Sequence, residues 1–306
     1  IDTYGTPFRI NYLPKIREQI QEARSLFNKA MEKHSYEGSY EFCYCTKCCH
    51  FSHVVKTALK EKVSLETSSS FDIDLILKLY EQGALTKETT IVHNGIKTEE
   101  YIEKIRFLQN QGFEHTITIL DSVQELDRIT MHKLERPIKI GLRITIDEEP
   151  QAAYYTSRLG INKRELLELV KEKIQPNPLL DLHMIHFFVD SGINDNLYYW
   201  GEFKKALQLY TQIKQLAPSL QALNIGGGFP IRNSLGFEYD YEYIVDEIVR
   251  NIKETCEEAQ VSVPDIYTEF GKYTVGESGA VIFRVIEQKQ QNDTELWYII
   301  DNSLMN

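Results

Sequence analysis

Three stretches of the 306-residue chain carry residue types and spacings suited to chemistry. In the first, Glu41, Cys43, Cys45 and Lys47 alternate with Tyr40, Phe42, Tyr44 and Thr46, the period-two pattern of a strand. A helix-like segment over 53–62 follows, so Lys47 falls where a strand gives way to a loop, the favoured place for catalytic groups on α/β folds. On this stretch alone, a solvated lysine at a strand end is the alternative. The second is Asn224-Ile-Gly-Gly-Gly-Phe-Pro230, where consecutive glycines let backbone amides approach an anion closely. The third is Thr268-Glu-Phe-Gly-Lys-Tyr273, a carboxylate with a cation three residues on, suited to two parts of one ligand or to a salt-bridged turn. A lysine amine, an anion cradle and a carboxylate together describe a site for pyridoxal 5'-phosphate (PLP). That cofactor needs a Schiff-base lysine, a partner for its pyridine nitrogen and donors for its phosphate.

Cys43, Cys45, Cys48 and Cys49, with His50 and His53 behind them, superficially resemble a metal site. The remaining cysteine, Cys256, lies in a helical pattern, and the two separated Cys-x-x-Cys knuckles of a zinc ribbon are lacking. Buried thiols on a strand are the simpler account, and no metal is expected. An odd cysteine count, with four clustered together, points to a reducing compartment, hence the cytoplasm.

The elements that must position these residues alternate along the chain. A short strand over 4–12 and an amphipathic helix over Leu13–Lys33 precede the Lys47 strand. Further strands are expected at 63–66, 90–93, 116–120, 138–144, 182–188, 222–225 and 265–269. Helices are expected between them at 71–81, 99–111, 122–132, 163–174, 200–216 and 241–259. Strands alternating with helices imply right-handed crossovers and a parallel sheet, and eight such units imply closure into an α/β, (β/α)8 barrel. From about Thr274 the pattern becomes strand-rich, at 280–288 and 296–300, with no helix between. This reads as the start of a C-terminal all-β domain cut off at Asn306. The expected organisation is residues 1–13 as an N-terminal strand packing with the β domain, 14–273 as the barrel, and 274–306 as the opening of the β domain.

A net charge of −11 argues against nonspecific nucleic-acid binding. No apolar run reaches the ~20 residues needed to span a bilayer, so neither a membrane partner nor a signal peptide is expected.

With these motifs on one barrel, the chain resembles the fold-type III PLP-dependent decarboxylases. That group includes ornithine, arginine, diaminopimelate and carboxynorspermidine decarboxylases, and the likeness is strongest to arginine decarboxylase-like enzymes. It runs from Tyr4-Gly-Thr-Pro7 to Asp301-Asn-Ser303. The resemblance implies an alanine-racemase-like barrel with Lys47 as the Schiff-base residue. It also implies Glu66 and Asp72 as acids of the cofactor pocket, and Arg143 near the cofactor ring. Ser191, Gly226, Gly227 and Gly228 become phosphate-binding positions, and Glu269 the acid paired with the pyridine nitrogen. Ser157-Arg-Leu-Gly160 becomes a packing segment. Related racemases place an arginine where Glu269 stands, so Glu269 favours decarboxylation.

Two positions depart from the family pattern. Phe188 stands where a histidine commonly stacks on the ring; it can stack but cannot hydrogen-bond. Lys272 stands where an arginine is usual, exchanging a planar bidentate donor for a point charge. The resemblance further implies a homodimer whose β domains complete each site with groups beyond Asn306. The implied activity is decarboxylation of a small basic amino acid, arginine preferred, in polyamine biosynthesis. Ornithine, diaminopimelate or carboxynorspermidine decarboxylation and a non-catalytic PLP-binding homologue are the alternatives, with a metal-binding protein third.

Overall fold

Short buried strands, each followed by an amphipathic helix, close on themselves. The structure is a computed structural model describing residues 1–131, 134–150, 152, 155, 158–232 and 234–303. In chain order the described residues form β1 (Phe8–Asn11), α1 (Leu13–Lys33), β2 (Tyr40–Cys45), α2 (Ser52–Lys60), β3 (Ser64–Thr67), α3 (Ser70–Glu81) and β4 (Ile91–His93). Then come α4 (Glu99–Asn110), β5 (Thr116–Leu120), α5 (Val123–Met131), β6 (Ile138–Arg143), α6 (Lys163–Leu169), β7 (Leu180–His186) and α7 (Leu197–Leu216). Last are β8 (Ala222–Asn224), α8 (Tyr241–Glu258), β9 (Asp265–Thr268), α9 (Gly271–Gly276), β10 (Gly279–Ile282), β11 (Val285–Gln290) and β12 (Leu296–Ile300).

Strands β2 to β9 form a closed barrel in sequence order, all parallel, sealed where Tyr40 pairs with Ile266 and Phe42 with Thr268. Both faces of these strands are covered, which is why β3 and β5 are buried at every position rather than at alternate ones. Cys43, Val92, Ile117, Ile119, Met184, Ala222 and Tyr267 pack together on the inner faces. Their neighbours Phe42, Tyr44, Ile91 and Leu120 belong to the larger layer shared with the helices. Helix α1 shows how that layer forms: Pro14 suits its first turn, and Ile16, Ile20, Ala23 and Phe27 recur on one buried face. Burying one such side chain contributes about 1.5–3 kcal/mol. Gly141 makes room inside the barrel, since a Cβ there would lie 2.3 Å from Ile119 Cδ1.

The barrel and its helices follow the expected pattern, with several boundaries moved. The strand expected to run on to Lys47 stops at Cys45. The Thr46 hydroxyl lies 3.0 Å from the Glu66 carbonyl oxygen and 2.9 Å from Asp72 Oδ1, which turns the chain into a 3₁₀ turn over Thr46–Cys48. The helix expected over 163–174 ends as a π turn, Val170–Ile174. The helix expected over 122–132 starts at Val123, and its last expected residue, His132, lies outside the described residues. The single strand expected over 280–288 is two. The Arg284 amide donates to Asp301 Oδ1 (2.8 Å) and the Asp301 amide donates to the Arg284 carbonyl (3.1 Å), breaking the run. As a result β10 pairs antiparallel with β1, while β11 pairs with β12. No helix among the described residues is long and apolar enough to cross a membrane.

Candidate active site

The C-terminal ends of the barrel strands converge on one polar network. Lys47, in the turn after β2, directs Nζ to Glu66 Oε1 at the end of β3 (2.9 Å), with Ser68 Oγ at 3.3 Å. Ser68 itself donates to Glu66 Oε1 (2.7 Å). Asn94, just after β4, donates from Nδ2 to Glu66 Oε1 (3.0 Å) and to Glu269 Oε1 (2.9 Å). Glu269, just after β9, also accepts from Asn224 Nδ2 (2.7 Å), and His186 Nε2 lies 3.3 Å away. One amide therefore ties the carboxylate that holds Lys47 to the carboxylate opposite.

The charges in this network set its protonation. Cys45 Sγ and the carboxylates of Glu66 and Glu269 lie within 4.8 Å of one another. Burial alone would lower the Lys47 pKa, but Glu66, then Cys45 and Glu269, hold it above the ordinary lysine value. The Lys47 side chain is 52 % exposed while that of Glu66 is fully buried, so the amine stays reachable from the barrel mouth. Burial opposes ionisation of Glu269, yet His186, Lys47 and the Asn94 amide keep its carboxyl well below the usual range. Charge-assisted hydrogen bonds in such a site are roughly twice as strong as neutral ones.

An ammonium is not a nucleophile, so the raised Lys47 pKa has a measurable consequence. Trapping of Lys47 by an aldehyde and borohydride should rise at higher pH than for a free lysine. Glu66→Gln should move that rise to lower pH, because the neutral amide no longer favours the ammonium. Superimposable pH profiles for the two proteins would remove Glu66 as the controlling group.

The loops after β7 and β8 supply bare backbone. Gly192 and Gly228 have φ of +87° and +98°, and a Cβ on Gly228 would lie 2.4 Å from Gly192 Cα. The Ile193 amide donates to the Gly228 carbonyl (3.0 Å), locking the two loops together. Gly226 packs against Phe188, and Gly227 against the Glu269 carbonyl. Phe188 is half-buried, with the Arg143 guanidinium carbon 5.6 Å from its ring centre, so the expected ring-facing pair stands together. Arg143 Nε is 3.9 Å from Asp121 Oδ1.

Other expected residues serve the loops. Asp72 accepts from the Ser68 and Ser69 amides (both 2.9 Å) as the capping box of α3, and its other oxygen meets Thr46 beside Lys47. Ser191 is exposed, and its amide donates to Glu149 Oε2 (3.3 Å). Lys272 is exposed on α9. Ser157 lies outside the described residues.

Sequence pattern alone gives no role to Asn94, Asn224 or His186, and does not mark Lys97. Asn94 carried a signal: Gly95 follows it with φ +72°, and a Cβ there would lie 2.1 Å from the Ser68 carbonyl oxygen. Lys97 is fully buried and donates to the Gly95 and Ile119 carbonyls (2.5 and 2.6 Å), while its own amide is held by Glu125. Burial brings its pKa down to about 8 against the pull of Glu125 and Asp121. It staples the loop after β4 to strand β5.

Among the described residues, Glu66 Oε2, Asn94 Oδ1 and both ring nitrogens of His186 are buried without a hydrogen-bond partner. Buried polar atoms are normally satisfied. Orphaned acceptors and donors beside a reachable amine, a half-buried aromatic ring and a glycine cradle fit a flat, polar, anion-bearing group.

The family profile described as "Pyridoxal-dependent decarboxylase, pyridoxal binding domain" matches residues 15–276. The chain belongs to this family. A curated biosynthetic arginine decarboxylase from Nostoc sp. is 24% identical over 301 residues, which are 92% of this chain and 43% of that protein. The chain thus spans less than half the length of that relative. Among solved structures, the biosynthetic arginine decarboxylase of Campylobacter jejuni superposes with a TM-score of 0.79 at 24% identity, covering 95% of this chain and 49% of that one. Diaminopimelate decarboxylase from Helicobacter pylori, complexed with L-lysine, superposes at 0.78 and 18% identity, covering 98% and 71%. At these identities the structural likeness establishes the barrel fold of pyridoxal-dependent decarboxylases for this chain.

Proposed function

We propose that this chain is the cofactor-binding part of a PLP-dependent amino-acid decarboxylase acting on a basic amino acid, with arginine preferred. The observation that carries this reading is the Asn94 bridge, which joins the Glu66 carboxylate on Lys47 to the Glu269 carboxylate across the barrel mouth. Lys47 would hold the cofactor covalently through Nζ. The backbone of Gly226, Gly227 and Gly228, with Ser191, would face its phosphate, and Lys272 would add positive charge nearby. Phe188, backed by Arg143, would offer a flat face to its ring. Glu66 would lie beside it, and Asp72 would hold the Lys47 turn. Once bound, PLP supplies an electron sink for the pair left behind when a substrate carboxylate departs as CO2.

The protein's own part is binding and charge placement. Asn94 and Asn224 fix the Glu269 carboxylate, so its charge is in place before the ring nitrogen needs it. Lys47 Nζ, held by Glu66 Oε1 and reachable from the barrel mouth, would be placed to move a proton at the reacting carbon.

In this reading residues 14–273 form the cofactor barrel, while 1–13 and 274–306 open the β domain. The pairing of β1 with β10 supports that division. The β11–β12 hairpin leaves Ile286, Trp297 and Tyr298 exposed, which suits a surface covered in a homodimer. Five free cysteines suit a cytoplasmic location. The place in polyamine synthesis follows from the preferred substrate.

The test is full-length protein, loaded with PLP, offered arginine, ornithine, lysine and diaminopimelate in turn, with CO2 and amine product measured. Arginine should give CO2 and agmatine fastest. Silence toward all four at full cofactor occupancy would instead favour a non-catalytic PLP-binding protein, the reading that Phe188 and Lys272 support.

A further inference from the structure

Lys47 is enclosed by a cysteine pair. Cys45-Thr46-Lys47-Cys48 is a Cys-x-x-Cys motif whose last inner residue is the lysine itself. Strand β2 ends on buried Cys45, the 3₁₀ turn reverses the chain, and Cys48 emerges exposed. Both residues pack on Gly271. A Cβ placed there would lie 2.4 Å from Cys48 Sγ, 2.8 Å from Cys45 Cβ and 3.2 Å from Cys48 Cβ. The two Cβ atoms therefore lie at most 6.0 Å apart, so that a small closing of the turn brings them to the ~3.5–4.5 Å that a disulfide spans. The absence of a side chain at Gly271 leaves the two sulfurs free to approach each other.

From this geometry we infer that Cys45 and Cys48 form a reversible disulfide that closes a ring through Lys47 and lowers the reactivity of its amine. The two thiols are matched for the parts they play. The Cys48 pKa is lowered, first by the adjoining Cys45 thiol and then, against burial, by the Lys47 charge. That of Cys45 is raised, by the neighbouring Cys48 sulfur and by burial. The exposed sulfur is thus the attacking thiolate and the buried one the resolving thiol.

The oxidant is a small-molecule disulfide. Cys48 thiolate attacks one of its sulfurs, the S–S bond breaks, and one thiolate leaves. Cys45 then attacks Cys48 Sγ in the mixed disulfide, gives up its proton and expels the second thiolate. The pair loses two electrons in total and the small disulfide becomes two thiols. A small dithiol reverses both steps.

Closing the ring draws Cys45 Sγ away from the Glu269 carbonyl, 3.2 Å distant, and fixes the backbone on both sides of Lys47. Displacement of a reacting group by 1 Å can cost about 10²-fold in rate. The bond stands on the geometry alone; its consequence for PLP rests on the proposed function.

The experiment equilibrates the whole chain in oxidised-to-reduced glutathione mixtures, then splits each sample. One half is blocked with an alkylating agent and digested with trypsin. Cleavage after Lys47 separates the two cysteines unless a disulfide joins them. The other half is exposed to PLP and borohydride, and the adduct on Lys47 is measured. The expected result is a Cys45–Cys48 linked peptide pair, reversed by dithiothreitol, present in Cys49→Ser and absent in Cys48→Ser. Trapping at Lys47 should fall ~10-fold or more in the linked form. Glutathione held on Cys48 with no linkage, linkage to Cys49 instead, or unchanged trapping in the linked form would each overturn the inference. If Lys47 is trapped in neither form, the proposed function fails, and the linked peptide alone decides the disulfide.

Discussion

Lys47→Ala should lose both the stoichiometric PLP adduct and turnover. The amine of Lys47 is the one that the strand ends bring to Glu66 Oε1 while leaving it reachable from the mouth. Lys97, nearby in sequence order of the strand ends, is fully buried and engaged by two carbonyls, so it cannot substitute. Losing a positioned proton-transfer group alone costs about 10²–10⁴ in rate. Losing the covalent anchor as well should take activity of the full-length enzyme to background. Glu66 keeps its Asn94 and Ser68 donors, so the fold should persist. Lys47→Arg, which retains the charge, separates loss of chemistry from loss of structure. The measurement is mass spectrometry of the borohydride-reduced protein beside a turnover assay. A stoichiometric adduct in Lys47→Ala would refute the role.

Glu269→Gln should spare binding and damage chemistry. Its carboxylate is held by Asn94 and Asn224 and kept ionised by His186 and Lys47. Glutamine preserves the shape and removes the charge, so Lys47 and the glycine loops should still hold PLP. What should fall is CO2 release, because an uncharged partner no longer favours a protonated pyridine nitrogen. Removing one interaction aimed at developing charge typically costs about 10²–10³ in rate, or roughly 3–4 kcal/mol. Single-turnover decarboxylation by full-length Glu269→Gln, with cofactor occupancy measured in parallel, reads this directly. Near-normal chemistry at full occupancy would reduce Glu269 to a structural acid.

The barrel was legible because each strand and helix announces itself locally, by runs of apolar residues and by 3.6-residue spacing. The three site stretches were legible for the same reason: Lys47, the glycine loop and Glu269 each sit where a strand pattern ends. The bridge between them was not. Asn94 meets Glu66 and Glu269 only because β4 lies beside β3 and the barrel closes across its mouth; the latter pair is separated by 175 positions. Nothing in an asparagine at a strand end says which carboxylates it will join. Asp72 was legible as an acid, but its place in a capping box depends on how Ser68 and Ser69 turn into α3. Lys97 was hidden because a lysine reads as solvated until packing removes the solvent. The C-terminal strands were mis-divided because the break at Arg284 is made by Asp301, a partner outside the local window.

In the proposed function, Lys47 is the amine on which the site is built. Incubating the reduced chain with one equivalent of PLP, trapping with borohydride and mapping the modified peptide tests it most directly. A single pyridoxyl group should appear, on Lys47, lost in Lys47→Ala and shifted in pH profile by Glu66→Gln. Label spread over exposed lysines such as Lys272, with Lys47 untouched, would contradict it.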